Sequence, residues 1–212
     1  RGGVGIIGMK TRENDAVAHL VVSDTHDKVM FFTDRGRCFQ VKTYEIADES
    51  RQARGESIHQ FFTMDPAERI TAVVRMPQDM DHDYMIMATK LGEVKKTPLK
   101  LFANVRRDGL NAMDLEPADE LVSARLATDN DEAIIVSAGG QSVKFKVSVL
   151  RAASRISGGV RGMKLASGDM VAGYTGTNER ATYTCIGDTV NLASRVEAHT
   201  KLAQRAILID GA

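Results

Sequence analysis

Short runs of β-branched, aromatic and methionine residues alternate along the chain with clusters of glycine, aspartate and asparagine. Seven such runs lie at 20–23, 29–33, 70–76, 84–89, 121–126, 133–137 and 143–147. They have the length of strands and are too short for helices. The clusters between them, such as 34–36 and 129–131, supply residue types that reverse a chain. The pattern therefore predicts an antiparallel all-β array.

The pattern also repeats at long range. Threonine or serine, two variable residues, a glycine, then basic and apolar residues in alternation occurs as TDRGRCFQVK at 33–42. It returns as TKLGEVKKTP at 89–98 and SAGGQSVKFK at 137–146. The glycines of this series, Gly36, Gly92 and Gly140, are 56 and 48 residues apart. A second series, Gly3, Gly55, Gly109 and Gly159, has spacings of 52, 54 and 50, each glycine preceding a short apolar step. One unit per roughly 50 residues is the period of blades in propeller-like folds. The expected architecture is mainly all-β, with about three blades at about 1–54, 55–108 and 109–158 and the start of a fourth before residue 165.

From Tyr174 the pattern changes. Asp188 suits a helix N-cap, and Val190, Leu192, Ala193, Val196 and Leu202 have the spacing of an amphipathic helix, followed by an apolar strand at 206–209. Residues 166–212 are thus expected to form a short α/β segment.

Composition narrows the class. In 212 residues, 43% hydrophobic and 26% charged content is that of a globular protein, which excludes disorder, collagen and coiled coil. No apolar run reaches the roughly 20 residues of a membrane-spanning helix, so no membrane association is expected. Arg1 stands first in place of a methionine or a signal sequence, so the expectation is a piece of a longer protein. The 28 basic and 28 acidic residues balance, which argues against nonspecific attraction of the whole molecule to polyanions but leaves room for a basic face. Cys38 and Cys185 are distant from one another and the five histidines are scattered. Neither a disulfide framework nor a metal site is expected, no cofactor is implied, and a reducing, cytoplasmic setting fits.

The repeat places the cations. Arg35, Arg37 and Lys42 flank the first hairpin turn, Lys90, Lys95, Lys96 and Lys100 the second, and Lys144 and Lys146 the third. Arg51 and Arg54, Arg106 and Arg107, then Arg151, Arg155 and Arg161 fall in the segments between units. Recurrence around one rim would make a curved basic stripe suited to a bent polyphosphate, held by phosphate contacts without reading sequence. The alternative is that these residues solvate turns. Acidic stretches at 114–120 and 129–132 would occupy the opposite face.

RGGVGIIGMKTRENDAV at the start, THDKVMFFTDRGRCFQVKTYEI, SRQARGESI and GGVRGMKL resemble, in order, the C-terminal domain family of the DNA gyrase A protein, over residues 1 to about 170. The resemblance implies a β-pinwheel of six blades whose basic perimeter wraps double-stranded DNA, enabling an ATP-dependent type II topoisomerase to introduce negative supercoils. It implies as partners the remaining gyrase A domains and the gyrase B protein, in the bacterial cytoplasm at the nucleoid. Arg1, Gly2, Gly3, Val4 and Gly5 look like the last five residues of the family's basic, glycine-rich box, with Val4 where a second cation is usual. Glycines there would let the backbone approach a phosphate closely; the alternative is a tight turn. Three blades of six would leave an open arc with unpaired strand edges, and DNA binding confined to low salt.

GDTVNLASR is similar to the C-terminal part of class III adenylyl or guanylyl cyclase catalytic domains. That resemblance implies that Asn191 and Arg195 correspond to residues acting on the ribose and the transferred phosphate, and Thr184 to a purine contact. The alternative is an exposed polar helix face. The family's metal-holding aspartates belong to an earlier half that has no counterpart in this sequence, so no phosphoryl chemistry is expected. The expectation is a chimeric reading frame, with the two resemblances overlapping at LASGDMVAG, 165–173. Three functions follow as candidates: a noncatalytic DNA-wrapping module of gyrase, a nonfunctional cyclase remnant, and a protein-interaction propeller.

Overall fold

The computed structural model describes residues 16–50, 53, 55–78 and 82–163, together with the backbone of 170–176. Among the described residues there are eleven strands, β1 (Lys28–Thr33), β2 (Arg37–Lys42), β3 (Ile70–Met76), β4 (Tyr84–Thr89), β5 (Glu93–Pro98), β6 (Leu110–Asn111), β7 (Leu121–Ala127), β8 (Glu132–Ser137), β9 (Ser142–Lys146), β10 (Val160–Arg161) and β11 (Met170–Gly176). They form three antiparallel sheets in the orders β3-β1-β2-β6, β10-β5-β4-β7 and β11-β8-β9. The mainly β architecture matches the expectation from the sequence, and β3 and β4 coincide with the runs that predict them.

Each sheet is built on a hairpin. Gly36, Gly92 and Gly140 close the three hairpins and all have left-handed φ, at 72°, 95° and 80°. The first-series glycines thus recur because one turn geometry recurs, and that geometry disfavours any residue with a Cβ.

The sheets interleave the 50-residue units. β3 follows its hairpin by almost 30 residues yet pairs with β1, from Lys28↔Met76 to Thr33↔Ile70. β6 lies beyond the second hairpin but pairs with β2 of the first, and β10 lies beyond the third but pairs with β5 of the second. A strand of two residues has no period to read, so the sequence pattern contains no signal for these exchanges.

Two apolar layers hold the sheets face to face. Met30, Phe32, Cys38, Val74, Met85, Met87 and Leu121 fill the space between the first and second sheets, and Phe32 meets Phe102 edge-on at 6.2 Å. Ile86, Ala88, Val94, Ala133 and Ile135 fill the space between the second and third. β4 lies between the two layers, with Met85 and Met87 on one face and Ile86 and Ala88 on the other. Full burial of Phe32 stabilises the arc by about 1.5–3 kcal/mol. Burial raises the Cys38 thiol to about 12, opposed by the charges of Arg155 and Arg37.

Residues 20–23, expected as a strand, form none. His19, Val21 and Ser23 border a cavity of about 460 Å³ on the outer face of the first sheet, alongside Phe31 and Ile70. Leu20 and Val22, on alternate positions, are 88% and 81% exposed. The segment has strand-like alternation but no ladder partner among the described residues, and alternation without a partner does not make a strand. The region expected to hold a helix and strand after Tyr174 lies outside the described residues, apart from the end of β11.

Candidate nucleic-acid interface

The rim is built from equivalent turns. After β2, β5 and β9 the chain enters 3₁₀ turns at Thr43–Glu45, Leu99–Phe102 and Val147–Val149. Each is pinned by an equivalent backbone hydrogen bond: the N–H groups of Thr43, Leu99 and Val147 donate to the carbonyls of Asp27, Asp83 and Asp131 at 3.0, 2.9 and 2.9 Å. These residues stand at the same distance from their hairpin glycines, so the three segments that follow are structurally corresponding linkers.

Lys100, Arg106, Lys146, Arg151 and Arg161 are exposed and have no side-chain hydrogen bond or ion pair among the described residues. All lie in or beside the linkers or the short strand β10. Arg35 and Lys144 are also at the surface, paired with Asp65 at 2.8 Å and Glu132 at 2.5 Å. Exposed pairs of this kind contribute roughly 0–1 kcal/mol, so a phosphate can displace the carboxylate at small cost. Lys42 donates to the Tyr44 hydroxyl at 2.9 Å and lies over its ring; this contact raises the lysine's pKa above its ordinary value.

Five other predicted contacts are taken up by groups of the protein itself: two are buried away from the rim expected from sequence, while Arg37 and Arg155 are half-buried and Arg107 stays exposed. Lys95 and Lys96 are buried, at 2% and 4% exposure. Lys95 Nζ donates to the carbonyls of Arg155 and Ser157, both at 2.7 Å. Burial lowers its pKa to about 8, against the charge of Asp114 and together with that of Arg155. Lys96 Nζ reaches Asp129 at 2.7 Å and the Val147 carbonyl at 3.1 Å, above the Tyr84 ring. Arg37 pairs with fully buried Glu68 at 2.9 Å, donates to the Asp108 carbonyl and covers the Phe39 ring. Arg107 donates to the carbonyls of Gln60 and Phe61 at 2.7 and 3.1 Å, and Arg155 to that of Asn111 at 3.1 Å. Lys95, Lys96 and Arg37 thus tie a strand to a later linker, and Arg107 ties one linker to the preceding one.

Within the acidic stretches Asp114, Glu116 and Asp129 are exposed, but two aspartates are not at the surface. Asp119 and Asp131 are buried and accept backbone N–H groups: Leu91 and Glu120 for Asp119, Thr128 for Asp131. Short carboxylates are used there to close turns. A charge chain not expected from the sequence runs Asp34, Arg69, Glu120, Lys90, with contacts of 3.1, 3.2 and 3.9 Å. Its members are far apart in sequence and come together only because β3 and β7 flank successive hairpins.

Arg1, Gly2, Gly3, Gly5, Arg51 and Arg54 lie outside the described residues, as do Thr184, Asn191 and Arg195. Among the described residues no group of three or more histidine, cysteine, aspartate or glutamate side chains could hold a metal ion.

The family described as DNA gyrase C-terminal domain, beta-propeller, matches residues 1–24, 27–74, 83–128 and 131–173. The chain belongs to that family. It is 43% identical over 174 residues to the DNA gyrase A protein of Dehalogenimonas lykanthroporepellens, covering 82% of this chain and 21% of the relative. It is 36% identical over 197 residues to the DNA gyrase A protein of Mycobacterium tuberculosis, covering 92% of this chain and 23% of the relative. The chain thus spans about a fifth of the curated relatives it matches. A solved DNA gyrase A C-terminal domain superposes with a TM-score of 0.60 at 22% identity, over 77% of this chain and 54% of that one. The E. coli ParC C-terminal domain does so with 0.62 at 14% identity, over 90% and 80%. These likenesses establish the fold. The mycobacterial match, at 92% of the chain, extends past the end of the family match at 173, into the segment expected from sequence to be cyclase-like, for which these relatives give no support.

Proposed function

We propose that this gyrase-family domain wraps double-stranded DNA on its linker rim, through phosphate contacts that read no sequence. The supporting observation is that Lys100, Arg106, Lys146, Arg151 and Arg161 are exposed, have no side-chain partner among the described residues, and are distributed over successive segments. A curved row of unpaired ammonium and guanidinium groups on a rigid β scaffold suits a bent polyanion, because each contact releases condensed counterions and none requires a base edge. Arg35 and Lys144 join the row by exchanging carboxylate for phosphate.

In this reading the domain is noncatalytic by itself. It belongs to a bacterial, cytoplasmic type II topoisomerase in which the remaining gyrase A domains and the gyrase B protein supply strand passage and ATP use. Residues 1–165 form the wrapping unit. A titration of a mixed-sequence duplex at several salt concentrations tests the function. The expected slope of log affinity against log salt is roughly −0.9 per phosphate contacted, so about −4 to −5 for the five linker cations and about −6 with Arg35 and Lys144 engaged. A flat salt response, or binding confined to one sequence, overturns it.

A further inference from the structure

Lys95 and Lys96 are neighbours on a strand, so their side chains leave opposite faces of the second sheet. Both nevertheless end on the same linker. Lys96 Nζ meets it at its start, on the Val147 carbonyl, and Lys95 Nζ near its end, on the carbonyls of Arg155 and Ser157. Between these anchors the Ala153 N–H donates to the Lys96 carbonyl at 2.8 Å, and Ala152 forms a parallel bridge with Lys96. Arg151, exposed and without a partner among the described residues, precedes this bridge.

Burying an ammonium is unfavourable unless it is well bonded, and an apolar side chain would fill the same space without that penalty. The repeat contains that comparison. Phe39 and Gln40 occupy the corresponding positions in the first unit, where Phe39 stacks on Phe62 at 4.4 Å; Val143 and Lys144 occupy them in the third. The second hairpin alone of these three has a lysine at both positions, and both lysines are directed at backbone carbonyls.

We propose that Lys95 and Lys96 are positioning residues that fix the 147–157 linker so that Arg151 faces the phosphate path, without themselves touching DNA. The proposal rests on the DNA-wrapping reading. The test measures the salt slope of duplex binding for wild type, Lys95→Met, Arg151→Ala and the double variant. Urea unfolding confirms that each is folded at the assay temperature, and Lys96→Met stands in if Lys95→Met does not fold.

Loss of folded protein lowers binding at every salt concentration and leaves the slope alone, whereas loss of a positioned cation lowers the slope. The expected result is a slope smaller in magnitude by about 1 for Lys95→Met and for Arg151→Ala, with no further loss in the double variant. A wild-type slope in Lys95→Met overturns the proposal, as does an additive loss, which would make Lys95 itself a phosphate contact. Absence of salt-dependent binding in the wild type defeats the wrapping reading instead. Hydrogen exchange at amides 150–157 then decides the anchoring alone: faster exchange in Lys95→Met supports it and unchanged exchange overturns it.

Discussion

The Ala112 N–H donates to the carbonyl of Gly36 at 2.8 Å, across 76 positions of sequence, and thereby sews the end of one linker, just past β6, to the hairpin of the preceding sheet. The Met113 N–H shares the same acceptor at 3.0 Å. Gly162 and Met163 repeat the arrangement on the Gly92 carbonyl at 2.9 and 3.2 Å. Exchange of these short segments, together with the two apolar layers, is what makes three small sheets a single arc, since a hairpin alone is marginal in water.

Gly36→Ala is predicted to destabilise the arc by at least about 2 kcal/mol. A left-handed residue with a Cβ costs about 1–2 kcal/mol, and the new Cβ would lie 2.3 Å from the Met113 carbonyl oxygen, forcing the latch apart. The midpoint of urea unfolding reads this directly.

Arg37 and Lys146 separate the two roles of basic residues. Arg37→Met leaves the Glu68 carboxylate buried beside the Thr33 hydroxyl without its cation, so a stability loss of about 3–5 kcal/mol is expected. Its salt slope, measured where the variant is folded, should equal that of the wild type. Lys146→Ala should instead lower the slope by about 1 and change stability by no more than about 0.5 kcal/mol.

The depressed Lys95 pKa has a definite signature. Its folded value of about 8 lies below the ordinary 10.5, so between these values the unfolded chain binds more protons than the folded one. Stability from this group therefore rises with pH through that window and is flat below it. The difference in unfolding free energy between wild type and Lys95→Met should grow in the wild type's favour from about pH 8 to about 10.5. Parallel curves would show that the ammonium is not desolvated.

Much of the scaffold was legible in the chain. Hairpin glycines announced themselves because a left-handed turn tolerates few other residues, and β3 and β4 announced themselves by dense apolar content. The exchanged strands β6 and β10 did not, because two residues carry no period. The rim was legible only in part. Lys95 and Lys96 sit in a repeat that looks like alternating surface charge, yet adjacent strand residues cannot both face one rim, and that conflict was the available sign that one points inward. The internal contacts of Arg37, Arg107 and Arg155 gave no sign: their partners are a distant carboxylate and distant carbonyls that only the fold brings within reach.

In the proposed function, DNA is held by the linker cations that have no partner among the described residues, and not by basic residues in general. This is tested most directly by replacing Lys100, Arg106, Lys146, Arg151 and Arg161 together with alanine and titrating a mixed-sequence duplex at several salt concentrations. The predicted result is a folded protein whose binding has lost most of its salt slope and of its low-salt affinity. Wild-type affinity and slope in that variant would contradict the account.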